Sequence, residues 1–267
     1  YVTKNGFPGV LLGLSGGIDS ALTLAVAVDA LGADKVRAVM MPSQYTADIS
    51  REDARAEAMT LGVRYSEIAI KPLFDAFLSA LAGEFKGLAA DTTEENLQSR
   101  IRGTLLMALS NKSGAIVLTT GNKSEMGTGY ATLYGDMAGG FAVLKDISKM
   151  MVYRLSNYRN SISAVIPQRV ITRAPSAELR PDQTDQDSLP PYDVLDAIME
   201  AYVEHNLGPR EIEANGFKRS DVERVIKLLL TSEYKRRQSP IGIRITPRGF
   251  GKDWRYPITN KYRHQFE

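Results

Sequence analysis

The sequence predicts an α/β fold built on a doubly wound parallel sheet, and three observations carry that prediction. Short apolar runs alternate with helical stretches as far as Thr120, the pattern of strands laid parallel through crossover helices. The first run, from Val10, breaks at Ser15-Gly16-Gly17 and an apolar helical stretch follows at once. The chain has 267 residues, 43% of them hydrophobic, which is enough for a sizeable core in one or two domains.

In order, a strand from Val10 leads through the Ser-Gly-Gly turn into a helix over 21–31, apolar nearly all round and therefore read as buried. A second strand spans 36–41 and stops at Pro42. A helix over 50–61 takes Ser50 as its N-cap with Asp53 at the third position, and Gly62 closes it. Residues 63–70 alternate as a third strand. From Glu94 to about Ser110, Leu97, Ile101, Leu105 and Ala108 recur every three to four residues, so a helix runs there with Gly103 as its soft spot. A fourth strand covers 115–120. The stretch 178–191 is polar and proline-rich and reads as a mobile surface segment able to order over a ligand. Helices over 192–205 and 221–238 follow, the latter with Val222, Val225, Leu228 or Leu229 and Ser232 inward. The tail over 241–267 reads as an irregular strap with Trp254 as an anchor.

Composition narrows the chemistry. A formal net charge of +2 implies no general attraction to nucleic acid or anionic lipid. With no cysteine, disulfides, thiolate metal sites and a cysteine nucleophile are all excluded, and two histidines argue against a zinc site. No apolar run approaches the ~20 residues of a membrane span, so the cytoplasm is the expected location. Residues 1–267 read as a single domain, and the short lead into the first strand is what a chain starting at a domain boundary inside a longer protein would have.

The turn itself suggests a ligand. Gly16 and Gly17 lack the Cβ atoms that would keep a ligand from the backbone, and the first N–H groups of the helix have no intrahelical partners. An anion fits there, phosphate above all. Ser15 and Ser20 add hydroxyls, whereas Asp19 would be costly beside phosphate unless a cation lay between them. No Gly-Lys-Ser/Thr follows, so this is not a Walker A loop, and the dinucleotide Gly-x-Gly-x-x-Gly spacing is absent. By the same topology Thr120 and Glu125 end the fourth strand near the turn, although Glu125 reads equally well as a helix-start charge.

The run Ser15-Gly16-Gly17-Ile18-Asp19-Ser20 resembles the loop of the ATP pyrophosphatases, which cleave ATP to AMP and pyrophosphate. The order Thr119-Thr120-Gly121-Asn122-Lys123-Ser124-Glu125, then Tyr134-Gly135-Asp136, then Leu144 to Lys149 is similar to that of NAD synthetases. The run from Ala174 through Asp193, with Glu233 to Gln238 and Arg255 to Asn260, resembles the synthetase domain of the glutamine-dependent type, so the likeness covers essentially the whole chain. It implies an adenine nucleotide α-hydrolase-like fold with a helical C-terminal part. It also implies a reaction in which ATP adenylates the pyridine carboxylate of deamido-NAD, pyrophosphate leaves, and ammonia displaces AMP to give NAD.

Carried over residue by residue, the resemblance implies that Gly13, Leu14, Ser15, Gly16, Gly17, Ile18, Asp19, Ser20, Thr120, Lys149 and Ser176 bind ATP. Asp19 and Glu125 would hold magnesium (Mg2+), and Asn96, Arg100, Glu125 and Lys235 would bind deamido-NAD. Arg100 reads equally as a solvated helix charge. Asp136 would polarise ammonia or orient the pyridine ring. One departure stands out: the lysine that ammonia-only members carry two positions before the Gly-Asp pair is Leu133 here. The resemblance further implies a homodimer with the dinucleotide near its interface, and an N-terminal glutaminase domain, absent from this chain, in the full-length protein. The alternatives are another ATP pyrophosphatase, such as a GMP-synthetase-like amidating enzyme, and a non-catalytic nucleotide sensor.

Overall fold

The first apolar run becomes β1 (Val10–Gly13), which the computed structural model, describing residues 1–251 and 253–259, places at the centre of a five-stranded sheet. Helix α1 (Ile18–Leu31) leads to β2 (Val36–Met40), and α2 (Asp48–Thr60) to β3 (Arg64–Glu67). After α3 (Lys71–Leu81) and α4 (Thr92–Ser113), β4 (Ile116–Thr119) enters on the other side of β1. Beyond α5 (Lys123–Thr128), β5 (Phe141–Ala142) completes the order β3-β2-β1-β4-β5, with every pairing parallel. The winding reverses between β1 and β4, and a parallel sheet opens a crevice at the carboxyl ends of the strands at such a point.

Successive strand residues face opposite ways, so β1 feeds two cores. Val10 and Leu12 join Leu22 and Ala25 of α1, while Leu11 joins Phe74 of α3 and Ile101 of α4. The predicted doubly wound sheet is therefore present. The rest of the chain is largely helical: α6 (Lys149–Ile162), α7 (Gln168–Thr172), α8 (Tyr192–Val203), α9 (Pro209–Ala214), α10 (Arg219–Thr231) and α11 (Glu233–Arg236). Leu195, Ile198, Val225 and Leu229 of α8 and α10 build a further core, closed by Phe250 and Tyr256.

Several elements differ from the sequence expectation. Helix α1 begins at Ile18, directly after Gly17. Ser50 is not an N-cap: α2 starts at Asp48 behind Ala47, and the buried Ser50 hydroxyl donates to Glu178 at 2.6 Å. The expected helix over 221–238 is two helices, because the chain turns at Ser232, whose hydroxyl is drawn to Thr128 O at 2.9 Å. Gly103 is more than a soft spot: a Cβ there would stand 2.8 Å from Gly135 O, so its absence lets the loop of Leu133 to Asp136 press onto α4. Helices α3, α6, α7 and α9 and the two-residue β5 carry no pattern that sequence reading picked out. The tail is irregular as far as residue 259; the remainder of the expected strap, with Asn260 of the C-terminal motif, lies outside the described residues.

One buried acid on α2 gives a direct test of packing. Glu57 is 1% exposed, its Oε1 has no hydrogen-bond partner, and burial together with the nearby Asp53 pushes its carboxyl up to about 8. A folded-state pKa above the unfolded one contributes stability that is complete below about 4.5 and is lost as pH rises through about 8. Glu57→Gln is expected to match the parent at pH 5 and exceed it at pH 8 by about 1–3 kcal/mol, as read by urea denaturation.

Candidate active site

A cavity of about 290 Å3 lies at the reversal of the sheet, lined by Gly13 and Leu14 at the end of β1 and by Thr119 and Thr120 at the end of β4. Ser15, Gly17, Ile18, Asp19 and Ser20 form its floor. The first N–H groups of a helix lack intrahelical acceptors, so the N-terminus of α1 offers donors to an anion here.

Gly16 does not belong to that lining. Its φ is +82° and a Cβ would stand 2.3 Å from Ser50 O, so it packs the turn against α2. At Gly17 a Cβ would meet only the Ser15 hydroxyl, at 3.3 Å. The two glycines thus divide fold from ligand. Gly16→Ala is expected to destabilise by about 2–4 kcal/mol. Gly17→Val is expected to weaken ATP binding far more than folding, which paired thermal melts and ATP titrations will separate. The serines brace the turn as well: Ser20 accepts from Ser15 N–H at 3.1 Å and donates to Gly17 O at 2.9 Å. Arg173 ties the turn from outside through Gly16 O, at 3.2 Å, and the Ser50 hydroxyl, at 3.0 Å.

Three charged side chains meet at the cavity. Lys149, 2% exposed at the start of α6, sets its Nζ 2.5 Å from Asp19 Oδ2 and 3.7 Å from Glu125 Oε1. Asn122, the N-cap of α5, donates from Nδ2 to Asp19 Oδ1 at 2.8 Å, and its backbone N–H donates to Glu125 Oε2 at 3.3 Å. Glu125 is both things that sequence reading allowed: it completes a capping box and faces the cavity. Burial, reinforced by the Asp19 charge and only partly offset by Lys149, pushes its carboxyl up to about 8. Burial works to lower the Lys149 ammonium, but Asp19 and Glu125 outweigh it and hold that group above the ordinary lysine range. Lys149, expected on phosphate, is here the counter-ion of the two acids.

The position of Lys149 is set from behind. Asp196 on α8 accepts the Ser124 hydroxyl and, at 2.8 Å, Met150 N–H, while Lys149 N–H donates to the same serine at 2.9 Å. The segment expected to be a polar surface stretch turns Glu178 and Asp185 inward and leaves Asp182 and Asp187 exposed. Glu178 holds Ser50 and Ala47 N–H, and the buried Asp185 accepts from Tyr192 at 2.8 Å and Tyr130 at 3.3 Å. Ser176 lines the cavity, its hydroxyl donating to Gln183 O at 2.6 Å.

The expected substrate residues fall elsewhere. Asn96 accepts from the Thr132 hydroxyl at 2.8 Å, Arg100 donates to Leu133 O at 3.2 Å, and Lys235 donates to Gly129 O and Ala131 O at 2.8 and 2.7 Å. None of the three lines the cavity. Asp136 does, with Oδ1 taken by Thr132 N–H at 2.7 Å. Sequence reading missed Arg102, whose guanidinium reaches the cavity from α4, donates to Met41 O at 3.0 Å and is lowered to about 10 by burial. It missed Asn122, Arg173, Glu178 and Asp185 as well; each lies in or beside a quoted motif, but their partners are 50 to 160 residues away in several cases, as with Arg173 and Gly16 at a separation of 157.

The magnesium expectation can be weighed against the donors present. Two half-buried carboxylates face one ammonium, and burial with the nearby charges of Asp19 and Asp185 opposes the ionised form of Glu125. That surplus of hard oxygen anions suits a divalent cation. Among the described residues no three acidic or histidine side chains converge on one point, so nucleotide oxygens or water would supply the remaining ligands.

The family model described as NAD synthase matches residues 1–239. The glutamine-dependent NAD(+) synthetase of Acinetobacter baylyi is 60% identical over 265 residues, which are 98% of this chain and 49% of that protein. The chain therefore spans about half the length of the curated relatives it matches. Among solved structures, the glutamine-dependent NAD+ synthetase of Acinetobacter baumannii, in complex with ADP, is 57% identical with a TM-score of 0.65, covering 97% of this chain and 47% of that one. The NH3-dependent NAD synthetase of Campylobacter jejuni is 28% identical with a TM-score of 0.71, covering 88% and 89%. The expected adenine nucleotide α-hydrolase-like fold is shared with these structures. With the Ser-Gly-Gly turn at the sheet reversal and the family match along most of its length, the chain belongs to the NAD synthase family.

Proposed function

We propose that this chain catalyses the ATP-dependent amidation of deamido-NAD to NAD, releasing AMP and pyrophosphate. The observation that carries the reading is the convergence of Asp19, Glu125 and Lys149 on the anion-binding N-terminus of α1, inside the cavity at the sheet reversal. A carboxylate oxygen of deamido-NAD attacks the α-phosphorus and the bond to the β-phosphate oxygen breaks. Ammonia then attacks the acyl carbon, AMP leaves with the C–O electron pair, and one proton is lost from nitrogen.

Bringing carboxylate and triphosphate together is opposed by charge, and fixed donors at the turn with the Lys149 ammonium offset that repulsion. The N–H groups at the start of α1, with Gly17 leaving space beside them, receive the leaving pyrophosphate. Asp19 and Glu125 would hold magnesium, which when bound neutralises phosphate oxygens. Ser176 and Thr120 bound the nucleotide from the segment and strand sides of the cavity. Asn96, Arg100 and Lys235 lie outside the cavity and meet the dinucleotide where it extends beyond, near the interface of a homodimer. The absence of cysteine, and of any helix among the described residues long and apolar enough to cross a membrane, supports placing the protein in the cytoplasm.

The nitrogen donor is free ammonia. With no cysteine among its 267 residues, this stretch itself offers no thiol to hydrolyse glutamine, which supports ammonia as the nucleophile at this site. Purified chain mixed with deamido-NAD, ATP, magnesium and ammonium is expected to form NAD and AMP in equal amounts, faster at fixed total ammonium as pH rises toward the ammonium pKa. NAD without AMP would sink the adenylation step, and NAD from glutamine free of ammonia would sink the choice of donor. Amidation of a purine nucleotide instead would make the chain a GMP-synthetase-like enzyme, and ATP binding without pyrophosphate release would make it a sensor.

A further inference from the structure

Outside the cavity, the stretch that follows α11 presents apolar side chains to solvent. It runs along β5, the outermost strand: Ala142 N–H donates to Ile241 O at 2.8 Å, and Gly242 bridges Ala142 in parallel. A Cβ at 242 would stand 2.4 Å from Ala142 O, so glycine is what lets the two backbones come this close. Alternation throws Ile241 and Ile243 to one side of an extended chain. Ile245 follows where its N–H is taken by Asp146 at 2.8 Å. The three are exposed at 54%, 50% and 55%. β-Branched apolar side chains gathered on a sheet edge are a liability in water unless something covers them.

We propose that this isoleucine edge docks the remaining half of the polypeptide found in the longer NAD synthetases, and that this half joins the chain on the Tyr1 side. The proposal rests on the reading above of the chain as an ammonia-using synthetase unit. Two observations select this occupant over a second copy of the chain. The Tyr1 ring stacks on Phe141 of β5 with centroids 4.8 Å apart, so a polypeptide joined to Tyr1 issues beside the strand that carries the isoleucines. The chain accounts for only 49% of the Acinetobacter baylyi relative, which leaves a partner of comparable size within the same polypeptide. The edge also leads into the cavity, because Ser239 and Pro240 line it and Lys145 Nζ holds Pro240 O at 2.5 Å. A domain seated on Ile241, Ile243 and Ile245 therefore borders the cavity rim.

The test compares this chain alone with a chimera in which it replaces the matching half of the Acinetobacter baylyi enzyme. Amide hydrogen exchange at residues 242–244 is expected to be about tenfold slower in the chimera. Ile243→Asp is expected to restore fast exchange and to cut glutamine-driven NAD formation by the chimera about tenfold, leaving ammonia-driven formation by the lone chain unchanged. Equal exchange in chain and chimera overturns the proposal. So does self-association of the lone chain that protects the same amides, or an Ile243→Asp effect equal for both nitrogen sources. Absence of ammonia-driven NAD formation in the unaltered chain would defeat the synthetase reading, while the exchange comparison would still decide the docking.

Discussion

Lys149→Met is expected to abolish turnover and to be the most destabilising single change in the site. The ammonium is 2% exposed and stands 2.5 Å from Asp19 and 3.7 Å from Glu125, with the Tyr192 ring 5.2 Å away. Methionine fills similar space but leaves two carboxylates facing each other without their cation, and removing one partner of a buried ion pair costs about 3–5 kcal/mol. Turnover is expected to fall by about 10³-fold or more, since a positioned charge is lost from the site where phosphate charge develops. The stability loss should shrink in Lys149→Met/Glu125→Gln, because one of the two stranded acids is then neutral. Urea denaturation of Lys149→Met, Glu125→Gln and the double variant, beside the ammonia-driven assay, reads both effects. A Lys149→Met protein of near-parental turnover would remove Lys149 from the mechanism.

Asp19→Asn and Glu125→Gln are expected to lose turnover by a similar factor, about 10³, through loss of hard oxygen ligands for magnesium. Here stability moves the other way for one of them. Burial already pushes the Glu125 carboxyl up to about 8, so glutamine removes a charge that folding opposes, and Glu125→Gln should be more stable than the parent near pH 8 while being inactive. Excess magnesium should restore part of the activity of either variant. Activity of either at the parental level under limiting magnesium would show that the residue is not a ligand.

What could be read from the sequence follows physical range. The turn at Ser15 to Ser20, the alternation of β1 to β3 with α1 and α2, and the pair Asp19 and Glu125 were legible because each rests on local spacing or on a strand-end rule. The break at Ser232 was not, since the hydroxyl that draws the chain aside bonds a carbonyl 104 residues away. Helix α6 was missed because its apolar positions are split between the α1 side and solvent, with Met150, Tyr158 and Ile162 exposed. The anchoring of Glu178 and Asp185 was invisible for a related reason. Their segment is polar in composition, and composition does not say which acids point inward.

The charge buried under α5 bears on where the folding unit ends. Lys123, 2% exposed, sends its Nζ to Asp146 and Glu204 at 2.8 Å each, to the Thr246 hydroxyl at 2.6 Å and to Arg248 O at 3.1 Å. Arg236 binds Gly127 O at 2.6 Å and lies 4.9 Å from the Phe250 ring and 5.4 Å from that of Tyr256. The helix that carries Glu125 is thus held at its start partly by Thr246 and Arg248 and at its end by Arg236, whose guanidinium lies against Phe250 and Tyr256, and those four supporting residues fall beyond 239, where the family match stops. Recurrence across a family and cooperative folding draw different borders here. A fragment trimmed to the recurring part would keep every residue of the chemistry and lose the outer part of the clamp, the Thr246 and Arg248 partners of Lys123 and the rings over Arg236.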